Sequence, residues 1–90
     1  MRVISQDGTM DFSYEMSTIF IYGRIENAVA IQPVGDSEVS IIGRYSSEAK
    51  AIKAMEMLRE AWINEAIEFT HGIYHRNIIF QFPQDDEIEV

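Results

Sequence analysis

Residues 18–45 read TIFIYGRIENAVAIQPVGDSEVSIIGRY, and this stretch decides the fold. Thr18 to Ile25 is β-branched and aromatic, the composition of a strand. Glu26-Asn27 is a two-residue turn leading into Ala28 to Val34. Pro33 has no N–H to give a ladder, so it belongs at a strand end or edge. Gly35-Asp36 turns the chain again, and Glu38 to Tyr45 makes the third strand. Strands joined by such short polar turns are antiparallel neighbours, so the three form a meander.

On the N-terminal side, Arg2 to Ser5 is a short β-type run. Asp7-Gly8 after it predicts a hairpin with a type I′ turn, which needs positive φ. The returning segment alternates, with Met10, Phe12 and Tyr14 on one side and Asp11, Ser13 and Glu15 on the other. On the C-terminal side the period changes. Ile52, Met55, Leu58 (or Ala51), Trp62 and Ala66 recur at steps of three and four, a helical stripe. Ser46 or Ser47 is the natural N-cap, with Glu48 at the positive end of the dipole and Gly72 as a stop. A helix of about twenty residues is about 30 Å long, enough to cross a small sheet. Asn77 to Phe82 is a last strand closed by Pro83. The tail holds Asp85, Asp86, Glu87 and Glu89, half of the net charge of −8.

Strands followed by one helix and one more strand predict an α+β fold. The expected architecture is a small antiparallel sheet, made of the N-terminal hairpin, the meander and the C-terminal strand, with one long helix packed on one face. The 90 residues make one domain, 1–90, whose acidic tail 84–90 is expected to be mobile.

Composition narrows the function. Fifteen acids against seven bases oppose broad nucleic-acid binding, which needs a continuous basic face. The absence of cysteine excludes disulfides, thiolate metal sites and cysteine nucleophiles. No apolar run reaches the ~18 residues of a membrane span and the N-terminus lacks a signal-peptide pattern, so a cytoplasmic protein is expected.

The chemistry of catalysis is not legible in this chain. Its five glycines, at 8, 23, 35, 43 and 72, are too widely spaced for a phosphate-binding loop. His71 and His75, with Glu68, have helical spacing for a metal, but Gly72 between them favours a polar loop; no metal and no cofactor are expected. Asp7 and Asp11 flank a hairpin turn, while Glu56 and Glu60 form a solvated helix face offset by Lys53 and Arg59. No acid–base pair or nucleophile emerges, so the protein is read as a non-enzyme.

One constellation stands out. Ile21-Tyr22-Gly23-Arg24-Ile25 and Ile41-Ile42-Gly43-Arg44-Tyr45 fall on the first and third meander strands. These run the same way, so Arg24 and Arg44 lie at one end of the sheet, about 9.6 Å apart. Alternation puts Ile19, Ile21 and Ile25 with Val39, Ile41 and Tyr45 under the helix. The opposite face then shows Phe20, Tyr22 and Ile42 as a partner or oligomer surface, beside Arg24 and Arg44 as candidate anion-binding groups.

The strings RVISQDGTMDFSYE (2–15), RYSSEAKAIKAMEMLREA (44–61) and FQFPQDDEIE (80–89) add a resemblance. The chain resembles a group of short, functionally uncharacterised proteins of Firmicutes and their phages and mobile elements. These share an ISQDG opening, a YSSE…KAMEMLR helix and an FQFP-acidic tail. Ala49 stands where a second glutamate is usual, and Ser13 where proline is common. The resemblance implies a phage or prophage context, hence the host cytoplasm if the chain is phage-encoded, and supplies no catalytic residue.

Two functions are therefore expected. The first is a non-enzymatic binding protein that inhibits or scaffolds a host macromolecule through the exposed sheet face, or pairs with itself as a homo-oligomer. The second is an oligomeric sponge that holds a small phosphorylated, nucleotide-type anion between subunits on Arg24 and Arg44.

Overall fold

The computed structural model describes residues 1–70 and 79–90, with the side chains of residues 65–70 left aside. Strands β1 (Arg2–Ile4), β2 (Asp11–Ser13), β3 (Ser17–Tyr22), β4 (Ala28–Pro33) and β5 (Ser40–Arg44) precede helix α1 (Glu48–Thr70). Strand β6 (Ile79–Gln81) follows it. The α+β class holds, with the meander β3-β4-β5 as read from the sequence. The single expected sheet is in fact two of three strands each, the second ordered β2-β1-β6. Its β1–β2 pair is antiparallel, but β6 lies parallel to β1. Parallel pairing of the two chain ends is non-local, and no turn residue encodes it.

The turns follow side-chain chemistry. Gly8 takes φ +77° and donates its N–H to the Ser5 carbonyl at 2.9 Å. The β1–β2 connection is therefore a longer loop, and the two-residue type I′ turn at Asp7-Gly8 is corrected. Buried Ser5 organises it: its hydroxyl donates to Asp7 at 2.7 Å and accepts from the Met10 N–H at 3.0 Å. The Thr9 N–H and hydroxyl converge on the same Asp7 oxygen. These donors, the Ser5 hydroxyl foremost, hold the Asp7 carboxyl at about 2. After β3, the chain turns through residues 23–27, so Arg24 stands in a loop and not in the strand. Asn27 supplies the positive φ there, at 55°.

Ser47 is the N-cap of α1: its hydroxyl accepts the Lys50 N–H at 3.2 Å, and its carbonyl accepts that of Ala51. The face turned to the sheets is Ala51, Ala54 and Leu58, with Met55 partly buried beside them. Ile52 is 43% exposed and Trp62 sits at the rim, so the expected stripe is rotated toward the two alanines. Small residues let the helix approach the sheets closely, and the larger side chains then come from the strands.

The core joins Val29, Ile31 and Ile42 of one sheet to Val3 of the other and to Phe82 after β6. Each large aliphatic side chain buried there contributes about 1.5–3 kcal/mol. Met10, Phe12 and Tyr14 pack on it together, as their alternation required.

Two polar devices seam the sheets. Gln6 donates its backbone N–H to the Ile42 carbonyl at 2.7 Å, and its side chain accepts from the Arg44 N–H at 2.9 Å. The same amide donates to the carbonyls of Arg44 and Pro83, so one side chain closes the edge of β5 as a neighbouring strand would. The C-terminal segment is the second device. Asp85 accepts from the Ser46 N–H at 2.7 Å and from the Lys50 ammonium at 3.3 Å. Ile88 is 4% exposed within the core. The expected mobile tail is thus corrected over residues 84–88, because one isoleucine among the acids supplies an apolar anchor.

Candidate functional site

The sheet face turned away from α1 is set by register. Phe20 pairs with Ala30 and Tyr22 with Ala28 across β3–β4. Across β4–β5, Ala30 pairs with Ile41 and Ala28 with Arg44. Directly opposed residues share a face, so two rows run over it: Phe20, Ala30, Ile41 and Tyr22, Ala28, Arg44. Both alanines are fully buried, overhung by the larger side chains on either side. The Phe20 and Tyr22 rings meet edge to face, 6.1 Å apart at 70°, and both stay half-exposed.

Ile42 is not part of this surface. Val29 pairs with Gly43 while Ala30 pairs with Ile41, which leaves Ile42 as the extra residue of a β-bulge. The bulge turns Ile42 into the core, where it is 2% exposed, and puts Ile41 beside Ala30. The expected place of Ile42 on the outer face is thus corrected: Ile41 stands there, and Ile42 lies in the core. Gly43 completes the device, because a Cβ there would stand 3.2 Å from the Tyr45 ring. Tyr45 covers the glycine and donates its hydroxyl to the Pro83 carbonyl at 2.9 Å. Burial, reinforced by Asp85 and Glu87, pushes this phenol well above its ordinary value, so it remains a donor.

Arg24 and Arg44 are both exposed, and neither guanidinium has a hydrogen bond or ion pair among the described residues. Arg44 lines a cleft of about 230 Å³ with Gln6, Asp7, Ile41 and Gly43. Its companion in that cleft is therefore a carboxylate ionised at neutral pH, and Arg24 is not among the lining residues.

A second concavity was missed by sequence reasoning. About 520 Å³ opens between the start of β3 and α1, lined by Tyr14, Ile19, Met55, Leu58, Arg59 and Trp62, among others. The Tyr14 and Trp62 rings lie 5.0 Å apart with planes tilted by 32°. Tyr14 ends the apolar alternation and Trp62 the described helical stripe, and the meeting of those two ends was the available signal.

The histidine pair His71/His75 lies outside the described residues, as does the side chain of Glu68. Among the described residues no helix is long and apolar enough to cross a membrane. No protein-family model, curated protein or solved structure matches the chain.

Proposed function

We propose that the protein is a non-enzymatic interaction module whose binding surface is the outer face of β3-β4-β5, centred on Phe20, Tyr22 and Ile41. The observation that carries this reading is a half-exposed aromatic pair beside an isoleucine, over a centre strand of alanines, on the side the helix leaves open. Aromatic anchors flanked by small residues and rimmed by an arginine are what recognition surfaces use. In the phage or prophage context the resemblance implies, the partner is a host macromolecule that the module inhibits or scaffolds. An acidic chain lends itself to a basic site on that partner, through steering at the rim more than affinity at the centre.

The alternative, a sponge for a phosphorylated anion, draws less support. The cleft at Arg44 contains Asp7, which repels an anion, and Arg24 lines neither concavity.

The test compares host-lysate proteins retained by the native chain and by a Tyr22→Asp/Ile41→Asp variant, with far-UV circular dichroism as the folding control. Loss of a specific retained partner with unchanged dichroism is expected. An identical retained set for both proteins refutes the reading.

A further inference from the structure

We propose that two copies of the chain join through β3, each strand continuing the other's sheet antiparallel about a two-fold axis beside Phe20. This names a partner for the interaction surface above and rests on that reading, but it uses the strand's edge and not its face.

Hydrogen-bond parity shows what the edge offers. Val34 donates to the Met16 carbonyl at 2.8 Å, which makes Met16 and Val34 a bonded pair. Bonded and non-bonded pairs alternate along an antiparallel ladder. Thr18, Phe20 and Tyr22 therefore bond to β4, while the N–H and C=O groups of Ser17, Ile19 and Ile21 point away from it. The far side of β4 agrees, since Tyr45 donates to the Asn27 carbonyl at 3.0 Å and thus gives the odd positions of β4 to β5. No described residue satisfies the outward groups of β3.

Among the described residues the other sheet edges are blunted. Strands β2 and β6 have three residues each, and β5 is closed by Gln6. Strand β3 has six residues, Ser-Thr-Ile-Phe-Ile-Tyr, with no charge, glycine, proline or bulge. Such an edge is a template for another strand.

Self-complementarity identifies the occupant as a second copy. At a net charge of −8, two identical chains repel except where the contact is neutral, and Met16 to Gly23 carries no charge. Glu15 flanks one end of that stretch and Arg24 the other, so antiparallel pairing sets the acid of each copy near the arginine of its mate. A two-fold axis at Phe20 opposes Ile19 to Ile21 in bonded pairs and Thr18 to Tyr22 in non-bonded ones, using the outward groups of both isoleucines, while Ser17 falls opposite Gly23 at the end of the strand. Ile21, 39% exposed in one chain, gains an isoleucine neighbour. Faces are kept, so both helices cover one side and the two aromatic pairs merge on the other.

The test is mass by light scattering at micromolar concentration, with cysteine placed in a chain that has none. The native protein is expected at about twice the 10.4 kDa chain mass. Ile21→Pro removes an outward N–H and no ladder bond, so it should be monomeric with unchanged dichroism; Ile21→Lys serves if the proline variant does not fold. Ile41→Asp, on the aromatic face of the far strand and away from the β3 edge, should remain dimeric. Phe20→Cys should cross-link on oxidation, because non-bonded antiparallel pairs place Cα atoms about 4.5 Å apart, within disulfide reach. Thr18→Cys should not. A monomeric native protein overturns the proposal and leaves the face to its own capture test. A dimer that survives both Ile21 substitutions but is lost in Ile41→Asp overturns it in favour of the face.

Discussion

Replacing Ile88 by alanine tests whether the C-terminal segment belongs to the core. Ile88 lies two residues from the chain end, in a run of acids, yet is 4% exposed and clusters with Tyr45 and Phe82. Burying an isoleucine and then truncating it to alanine costs about 2–5 kcal/mol, depending on how far the site collapses. The residues around it, Asp86, Glu87, Glu89 and Val90, are exposed and leave room for the site to collapse, so the lower end applies, about 2–3 kcal/mol. A 90-residue domain has about 5–13 kcal/mol in total, so this loss is a large share. At about 4–8 °C per kcal/mol the midpoint should fall by about 8–24 °C. The assay is urea and thermal unfolding followed by circular dichroism, with Glu89→Ala as an exposed control expected within about 0.5 kcal/mol of native. An Ile88→Ala midpoint as close to native as that control would refute the docking of the tail.

Two further outcomes follow from the polar seams. Gln6→Ala removes three side-chain hydrogen bonds, to the Arg44 N–H and to the carbonyls of Arg44 and Pro83, and at about 0.5–1.5 kcal/mol each should cost about 2–3 kcal/mol in urea unfolding; a loss below about 0.5 kcal/mol would show that the bonds do not hold the sheets together. Asp7 has its folded value lowered to about 2, so its stabilisation is complete above the unfolded value near 3.9 and is lost as pH falls through about 2. The melting temperature should therefore drop between about pH 4 and pH 2, and less steeply in Asp7→Asn; parallel profiles would contradict the assignment.

Local features of the fold were legible because they repeat with a period. The alternation of Met10, Phe12 and Tyr14 named the buried side of the hairpin, and the helical spacing after Ser47 named α1 and its cap. What stayed hidden depends on one residue or on distant ones. Ile41 and Ile42 are chemically the same, so nothing in the Ile-Ile-Gly string says which one a bulge will turn inward. Phe20 and Tyr22 kept their face because β3 pairs with β4 without interruption. Helical spacing marks the large apolar residues of α1, whereas the residues buried against the sheets include the small Ala51 and Ala54 and leave Ile52 exposed. Gln6 reaches 38 positions along the chain to close β5, and β1 pairs with a strand more than seventy positions away, and no sequence period reports such contacts.

The parallel pairing of β1 with β6 also orders events during synthesis. Strand β1 ends at Ile4 but receives its second partner only at Ile79, and the seam at Pro83 comes later still. The meander is complete at Arg44, 35 residues earlier. At about 5–20 residues per second, the ribosome takes roughly 2–7 s to add those residues. Through that interval the nascent chain displays a finished three-stranded sheet while its N-terminal hairpin still waits for the strand that closes it. Translation pauses after the codon for Arg44 would lengthen the life of this half-built state, and emergence of β6 and Pro83 would end it.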